Sequence, residues 1–213
     1  GTLYVNRNVD EDDSVESYTG KIFESAMASL DQVHHSLDMS AINRAVDLLT
    51  QAKKIAFFGL GSSAAVAHDA MNKFFRFNVP VIYSDDIVLQ RMSCMNCNDD
   101  DVVVIISHTG RTKSLVELAQ LARENDAMVI AITSPGTPLS RESTLAITLD
   151  VPEDTDIYMP MVSRLAQLTV IDVLATGFTL RRGAKFRDNL KRVKEALKES
   201  RFDKELSVHS NDQ

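Results

Sequence analysis

Several absences narrow this chain before any motif is considered. No apolar run approaches the roughly 20 residues needed to span a bilayer, and no basic segment followed by an apolar one opens the chain as a secretory signal would. A cytoplasmic protein is the expectation. Cysteine is nearly missing: Cys94 and Cys97 stand together as Cys-Met-Asn-Cys. A structural zinc takes about four ligands, and no second pair or nearby histidine couple completes such a set. A thioredoxin-like redox pair would open a helix directly after a strand, whereas this pair follows an apparent helix at 87–92 and precedes the acidic Asn98-Asp-Asp-Asp101. Two reduced, structural thiols are expected, with no metal and no cofactor. The third glycine of a dinucleotide fingerprint is also lacking: after Gly59-Leu-Gly it would fall at Ala64.

Positive charge is scarce outside one segment. Of the 23 Lys and Arg residues, 10 fall within 181–204 against four acids there, while the whole chain carries a net charge of -7. An isoelectric point near 5.2, with Phe186 and Phe202 the only aromatics in that segment, argues against a nucleic-acid face. Leu190, Val193 and Leu197 at helical spacing predict instead an amphipathic helix docked on the domain or on a partner.

What is present suits one substantial core: 213 residues, 44% hydrophobic and 25% charged. Asp101-Val-Val-Val-Ile-Ile-Ser-His-Thr-Gly-Arg-Thr112 is its centre. Residues 102–106 are β-branched without polar alternation, which predicts a strand buried on both faces in a parallel sheet covered by helices. Residues 107–112 then sit at that strand's carboxyl end, where open α/β sheets bind ligands. Before it, Lys54-Ile-Ala-Phe-Phe-Gly59 is a strand running through Gly59-Leu-Gly-Ser-Ser63 into a helix over 64–77. Further strands are expected at 79–83, 128–133 and 145–151, with a turn cluster at 134–138 and a helix over 113–125. Amphipathic helices are expected at 22–37 and 41–52, the second capped by Ser40. This alternation predicts an αβα three-layer sandwich, a five-stranded parallel sheet with right-handed crossovers and extra terminal helices, for which the flavodoxin-like order 2-1-3-4-5 is assumed.

That order sets the loops 59–63 and 107–112 side by side. Both are rich in hydroxyls and glycine, and both open helices, so backbone amides and helix dipoles favour an anion there. Gly61, Ser62 and Ser63 in the first loop are candidate ligand contacts, as are Ser107, His108, Thr109, Gly110, Arg111 and Thr112 in the second. Helix capping alone is the competing account of the hydroxyls, and solvation the competing account of Arg111. His108 could donate to a phosphate or sugar oxygen, or act as a base.

Gly59-Leu-Gly-Ser-Ser63 and Ser107-His-Thr-Gly-Arg-Thr112, with the alternation over 42–183, resemble the sugar isomerase (SIS) domain, an αβα fold that binds phosphosugars. The resemblance implies that Ser63, Ser107, Thr109 and Thr112 hold a phosphate and that Ser62 and His108 line its pocket. Ser163-Arg-Leu-Ala-Gln167 and Val170-Ile-Asp172 are similar to the late helix of RpiR-type transcriptional regulators, in which a helix-turn-helix domain precedes an SIS sensor. Ser163 and Arg164 at the head of that helix either cap and solvate it or face the ligand. The arm at 4–13 resembles the linker of that family's hexose-metabolism repressors, which implies 2-keto-3-deoxy-6-phosphogluconate as effector.

The domain expectation is therefore a linker or arm at 1–20 from a helix-turn-helix domain outside this chain, an SIS domain at 21–205 and a tail at 206–213. A homodimer is expected, because two-fold operators mirror two-fold proteins. DNA would be reached only through that further domain, and no membrane is involved. The rival is an aldose-ketose phosphosugar isomerase, which needs a base beside the substrate carbonyl. Glu153, Asp154, Asp156, His108 and His68 are available for that role but unmarked, and Asp172 lies far along an apolar helix. Sensing without turnover is the favoured expectation.

Overall fold

The computed structural model describes residues 3–202; the expected tail at 206–213 lies outside them. Five parallel strands form the sheet: β1 (Lys54–Phe58), β2 (Val81–Ser84), β3 (Asp101–Ser107), β4 (Met128–Thr133) and β5 (Leu145–Thr148). Their order is β2-β1-β3-β4-β5. Every residue of β3 is buried, as its unbroken β-branched run requires of a strand covered on both faces.

Alternating side chains divide the core into two layers. Ile55, Phe57, Val102 and Val104 pack towards α2 (Met39–Gln51), α3 (Ser62–Phe75) and α7 (Val162–Lys198). Ala56, Phe58, Val103 and Ile105 pack towards α4 (Ile87–Met95), α5 (Lys113–Glu124) and the short α6 (Pro138–Glu142). The remaining helix, α1 (Val15–Ser36), lies against α7.

Local electrostatics move several boundaries from their expected places. α1 starts at Val15 rather than near 22, so the polar arm is helical from its fifteenth residue onward. The Ser14 hydroxyl accepts from Ser17 N at 3.1 Å, and the Lys21 ammonium reaches back to Asp13 at 2.7 Å. That ammonium holds the Asp13 carboxyl down to about 2. These are capping signals, which need no apolar stripe. α2 is capped by Asp38, whose carboxylate accepts from Ser40 N, and not by Ser40 itself. Within the expected turn cluster, Pro138 opens α6 at a position where its missing N–H costs nothing.

α7 runs for 37 residues with a break at Gly183, where φ is +81°. Arg181 pairs with Asp47 and donates to Asn43 across to α2, while Arg182 lies over the Phe178 ring. Beyond the break Phe186 and Leu190 pack against the core, whereas Leu197 is exposed. The basic helix is thus docked through its first half.

Both cysteines are buried and unbridged. Cys97 Sγ donates to the Cys94 carbonyl at 2.8 Å, and burial pushes the Cys94 thiol up to about 12 and raises Cys97 as well. At pH 8 the Cys94 thiolate would be roughly one part in 10,000. Neither thiol should react with an aromatic disulfide reagent at pH 8 until the protein is unfolded. Stoichiometric labelling of the native protein within minutes would refute this.

Candidate functional site

β1 and β3 are hydrogen-bonded neighbours with Phe58 opposite Ile105, so the loops that follow them leave the same edge of the sheet. The first loop turns tightly over α3: a Cβ on Gly59 would lie 2.6 Å from the Ser63 carbonyl oxygen. Gly61 occupies the N-cap of α3 at φ +58°, and no side chain caps that helix. Thr112 occupies the N-cap of α5, again with no side-chain cap. The account of these hydroxyls as caps therefore fails at both helix starts, since a capping Ser or Thr accepts from the second or third amide of its helix.

The second loop is fixed from behind. Ser107 Oγ accepts from Gly110 N at 3.1 Å, and Thr109 Oγ1 accepts from Arg111 N at 3.3 Å. Gly110 has φ +59°, and a Cβ there would run into the hydroxyls of Thr133 and Thr137. The His108 carbonyl accepts from Ser134 N and Ser134 Oγ. The strand-end loops of β3 and β4 are thereby joined into one rigid rim.

Residues 151–161 cross this rim and supply most of its charge. The His108 ring Nε2 lies 2.7 Å from the Glu153 carbonyl oxygen, which accepts its proton. Arg111 Nη2 donates to Asp156 at 2.6 Å, and this exposed pairing raises the Arg111 pKa. The Glu153 carboxylate accepts from Met161 N, Val162 N and Ser163 N, and from Ser163 Oγ at 2.5 Å. It therefore serves as the missing cap of α7, placing a negative charge where the helix dipole favours one. An open cleft of about 370 Å³ lies over His108, Thr109, Arg111, Ser134 and this acidic segment.

The expected ligand contacts fall into three groups. Ser63, Ser107, Gly110 and Ser163 are buried, Ser62, His108 and Thr109 are half-buried, and Gly61, Arg111, Thr112 and Arg164 are exposed. Ser163 donates to Glu153 rather than to the cleft. His68 stacks on Tyr83, and Asp172 pairs with Lys73, so both are engaged elsewhere. Two residues are added to the site. Glu153, which the sequence offers only as a base, caps α7, and Gln167, 3% exposed, lies with its Nε2 3.5 Å from Ser63 Oγ. A lone amide among apolar neighbours on a helix was the available signal for Gln167.

Comparison with known proteins identifies the family and the fold. The SIS domain family matches residues 48–177. The chain is 91% identical over 212 residues to the HTH-type transcriptional regulator HexR of Escherichia coli strain K12, covering all of this chain and 73% of that protein. It is 55% identical over 202 residues to the HexR of Pseudomonas aeruginosa, covering 95% of this chain and 71% of that one. The solved Vibrio vulnificus NanR protein, complexed with ManNAc-6P, superposes with a TM-score of 0.80 at 23% identity, over 89% of this chain and 72% of its own. At that identity it supports the fold alone. With its five-stranded sheet and its paired loops, the chain belongs to the SIS-domain family and, within it, to the HexR group of RpiR-type transcriptional regulators.

Proposed function

We propose that this chain is the effector-sensing part of a regulator of sugar catabolism, and that its crevice binds a phosphosugar acid, with 2-keto-3-deoxy-6-phosphogluconate the leading candidate. The observation that carries this reading is the pair of adjacent helix starts, α3 and α5, neither capped by a side chain. The amino-terminal dipoles of these helices, and the hydroxyls of the loops that open them, suit a phosphate. Arg111 at the rim supplies a cation.

The acidic segment gives binding a consequence. Asp156 holds Arg111, and Met159 N donates to the Tyr4 carbonyl at 3.1 Å. An incoming anion competes with Asp156 for Arg111, and any movement of the segment pulls on the amino-terminal arm. In an intact regulator that arm would lead to a DNA-binding domain, and a homodimer would present two of them. Coupling requires only that the effector bind one arrangement more tightly than the other.

Turnover is disfavoured by the state of Glu153. A general base needs a free lone pair near the substrate, and this carboxylate already accepts from three amides and a hydroxyl.

Calorimetric titration with 2-keto-3-deoxy-6-phosphogluconate, 6-phosphogluconate, glucose 6-phosphate and fructose 6-phosphate tests the reading. Ser63→Ala and Ser107→Ala should each weaken the tightest of these by about 10-fold or more, as expected when a charged ligand loses a hydrogen bond. No sugar phosphate should be converted in the same samples. Conversion would make the chain an isomerase, and absence of binding would sink the sensor.

A further inference from the structure

We propose that Gln167 is a specificity residue of this crevice, its side-chain amide pairing with a hydroxyl on the carbon skeleton of the bound phosphosugar. The inference deepens the sensor reading and rests on it. Gln167 lies on α7 one turn beyond Ser163, 3% exposed, in a closed gap with no room for a water molecule, lined by His108, Thr133, Leu149, Val151 and Ser163. That gap adjoins the first loop: among the described residues the amide's one hydrogen bond is the long 3.5 Å contact to Ser63 Oγ.

Its Oε1 is buried without a partner among the described residues. Turning the amide over would let its oxygen accept from Ser63 and leave the NH2 group unpaired instead. In either orientation one polar end of the amide is left without a partner. A buried polar group in that condition is destabilising, and native proteins seldom keep one without a use.

Gln90 provides the contrast. Its Oε1 is also unpaired, but its Nε2 donates to the Gly59 and Ser84 carbonyls at 3.2 and 2.8 Å. Those bonds fix the first phosphate loop to β2 and explain why an amide is kept there. Gln167 makes no comparable pair of bonds.

Once opened, the gap would present groups suited to a polyol. Gln167 can accept from and donate to hydroxyls, with the His108 imidazole and the Thr133 hydroxyl among its neighbours and two aliphatic side chains completing the wall. Inorganic phosphate has no carbon skeleton and would not use it. A site that hydrogen-bonds a substrate hydroxyl rejects analogues lacking it far more strongly than an apolar pocket could. Reaching Gln167 also requires residues 151–153 to lift, since Val151 walls the space and the Glu153 carbonyl holds the His108 ring.

The test uses the whole chain with Gln167→Met, which keeps length and volume, and Gln167→Asn, which keeps the amide but withdraws it. Three probes are titrated: 2-keto-3-deoxy-6-phosphogluconate, 6-phosphogluconate and inorganic phosphate, the last by thermal shift. The expected result for Gln167→Met is about 10- to 100-fold weaker binding of the tighter phosphosugar, an unchanged response to inorganic phosphate, and a ligand-free melting temperature equal to or above that of the parent. Gln167→Asn should show the same selective loss, and it decides the matter if the methionine variant does not fold. Equal phosphosugar affinity in the variants would overturn the inference. So would proportional loss of phosphate and phosphosugar together with a lowered melting temperature, the signature of a structural role. If the parent protein responds to phosphate but to neither phosphosugar, the sensor reading itself fails and the inference fails with it.

Discussion

Gly110→Val should destabilise the protein by about 3–5 kcal/mol, with a corresponding fall in the urea midpoint and no change in slope. Two effects add. The backbone at Gly110 is left-handed, φ +59°, a region that a β-branched residue enters only at a cost of about 1–3 kcal/mol. There is also no room: the Cβ would collide with the Thr133 and Thr137 hydroxyls, and overpacking typically adds 1–3 kcal/mol. Relief by shifting the loop is blocked, since Leu139 N donates to the Gly110 carbonyl and Gly110 N to Ser107 Oγ. Any variant that still folds should lose phosphosugar binding, because the second loop cannot keep its shape. A midpoint within measurement error of the parent would show that the rim is softer than its contacts imply.

Glu153→Ala is expected to have the second largest effect, about 2–4 kcal/mol. Hydrogen bonds to a charged group contribute roughly 1.5–3 kcal/mol each, but Glu153 is half-buried and water replaces part of what is lost. The removal leaves the amides of Met161, Val162 and Ser163 without an acceptor at the head of α7. Glu153→Gln keeps one carbonyl oxygen and should lose less than half as much. Inorganic phosphate binding should not fall in the alanine variant, since the carboxylate caps the helix and does not contact the proposed anion. Loss of binding with unchanged stability would move Glu153 from helix cap to ligand contact. Chemical denaturation followed by titration of the same preparation separates the two.

The readable and unreadable parts of this fold differ in what determines them. β3 could be seen in the sequence because a run such as Val-Val-Val-Ile-Ile has only one stable environment, the middle of a covered sheet. The alternation with helices gave a parallel sheet, but several doubly wound orders satisfy it; the flavodoxin-like order assumed for it is the one found, and it places both loops on one edge. The start of α1 was missed because it depends on Ser14, Asp13 and Lys21, polar contacts that leave no periodic trace. The site divided in the same way. Ser63 and Ser107 are local features of a strand, turn and helix, so they could be put forward as contacts from the sequence. Glu153 and Gln167 act across 10 and 104 residues of sequence, so their partners emerge only when the chain is folded. Ser163 was correctly placed at the head of α7, but its hydroxyl turns to Glu153.

The break at Gly183 gives α7 two directions. An uninterrupted helix of 37 residues would extend about 55 Å, carrying its last turns away from the sheet. The +81° φ at Gly183 folds the second part back, so that the Phe186 ring meets Phe77 and Phe178 at 5.6 and 5.9 Å. The aromatic cluster acts as a latch and the glycine as its elbow. The basic second half is thereby held at a fixed angle to the first, whose head carries Ser163 and Gln167, and a tilt of α7 at the crevice would sweep its far end through a larger arc.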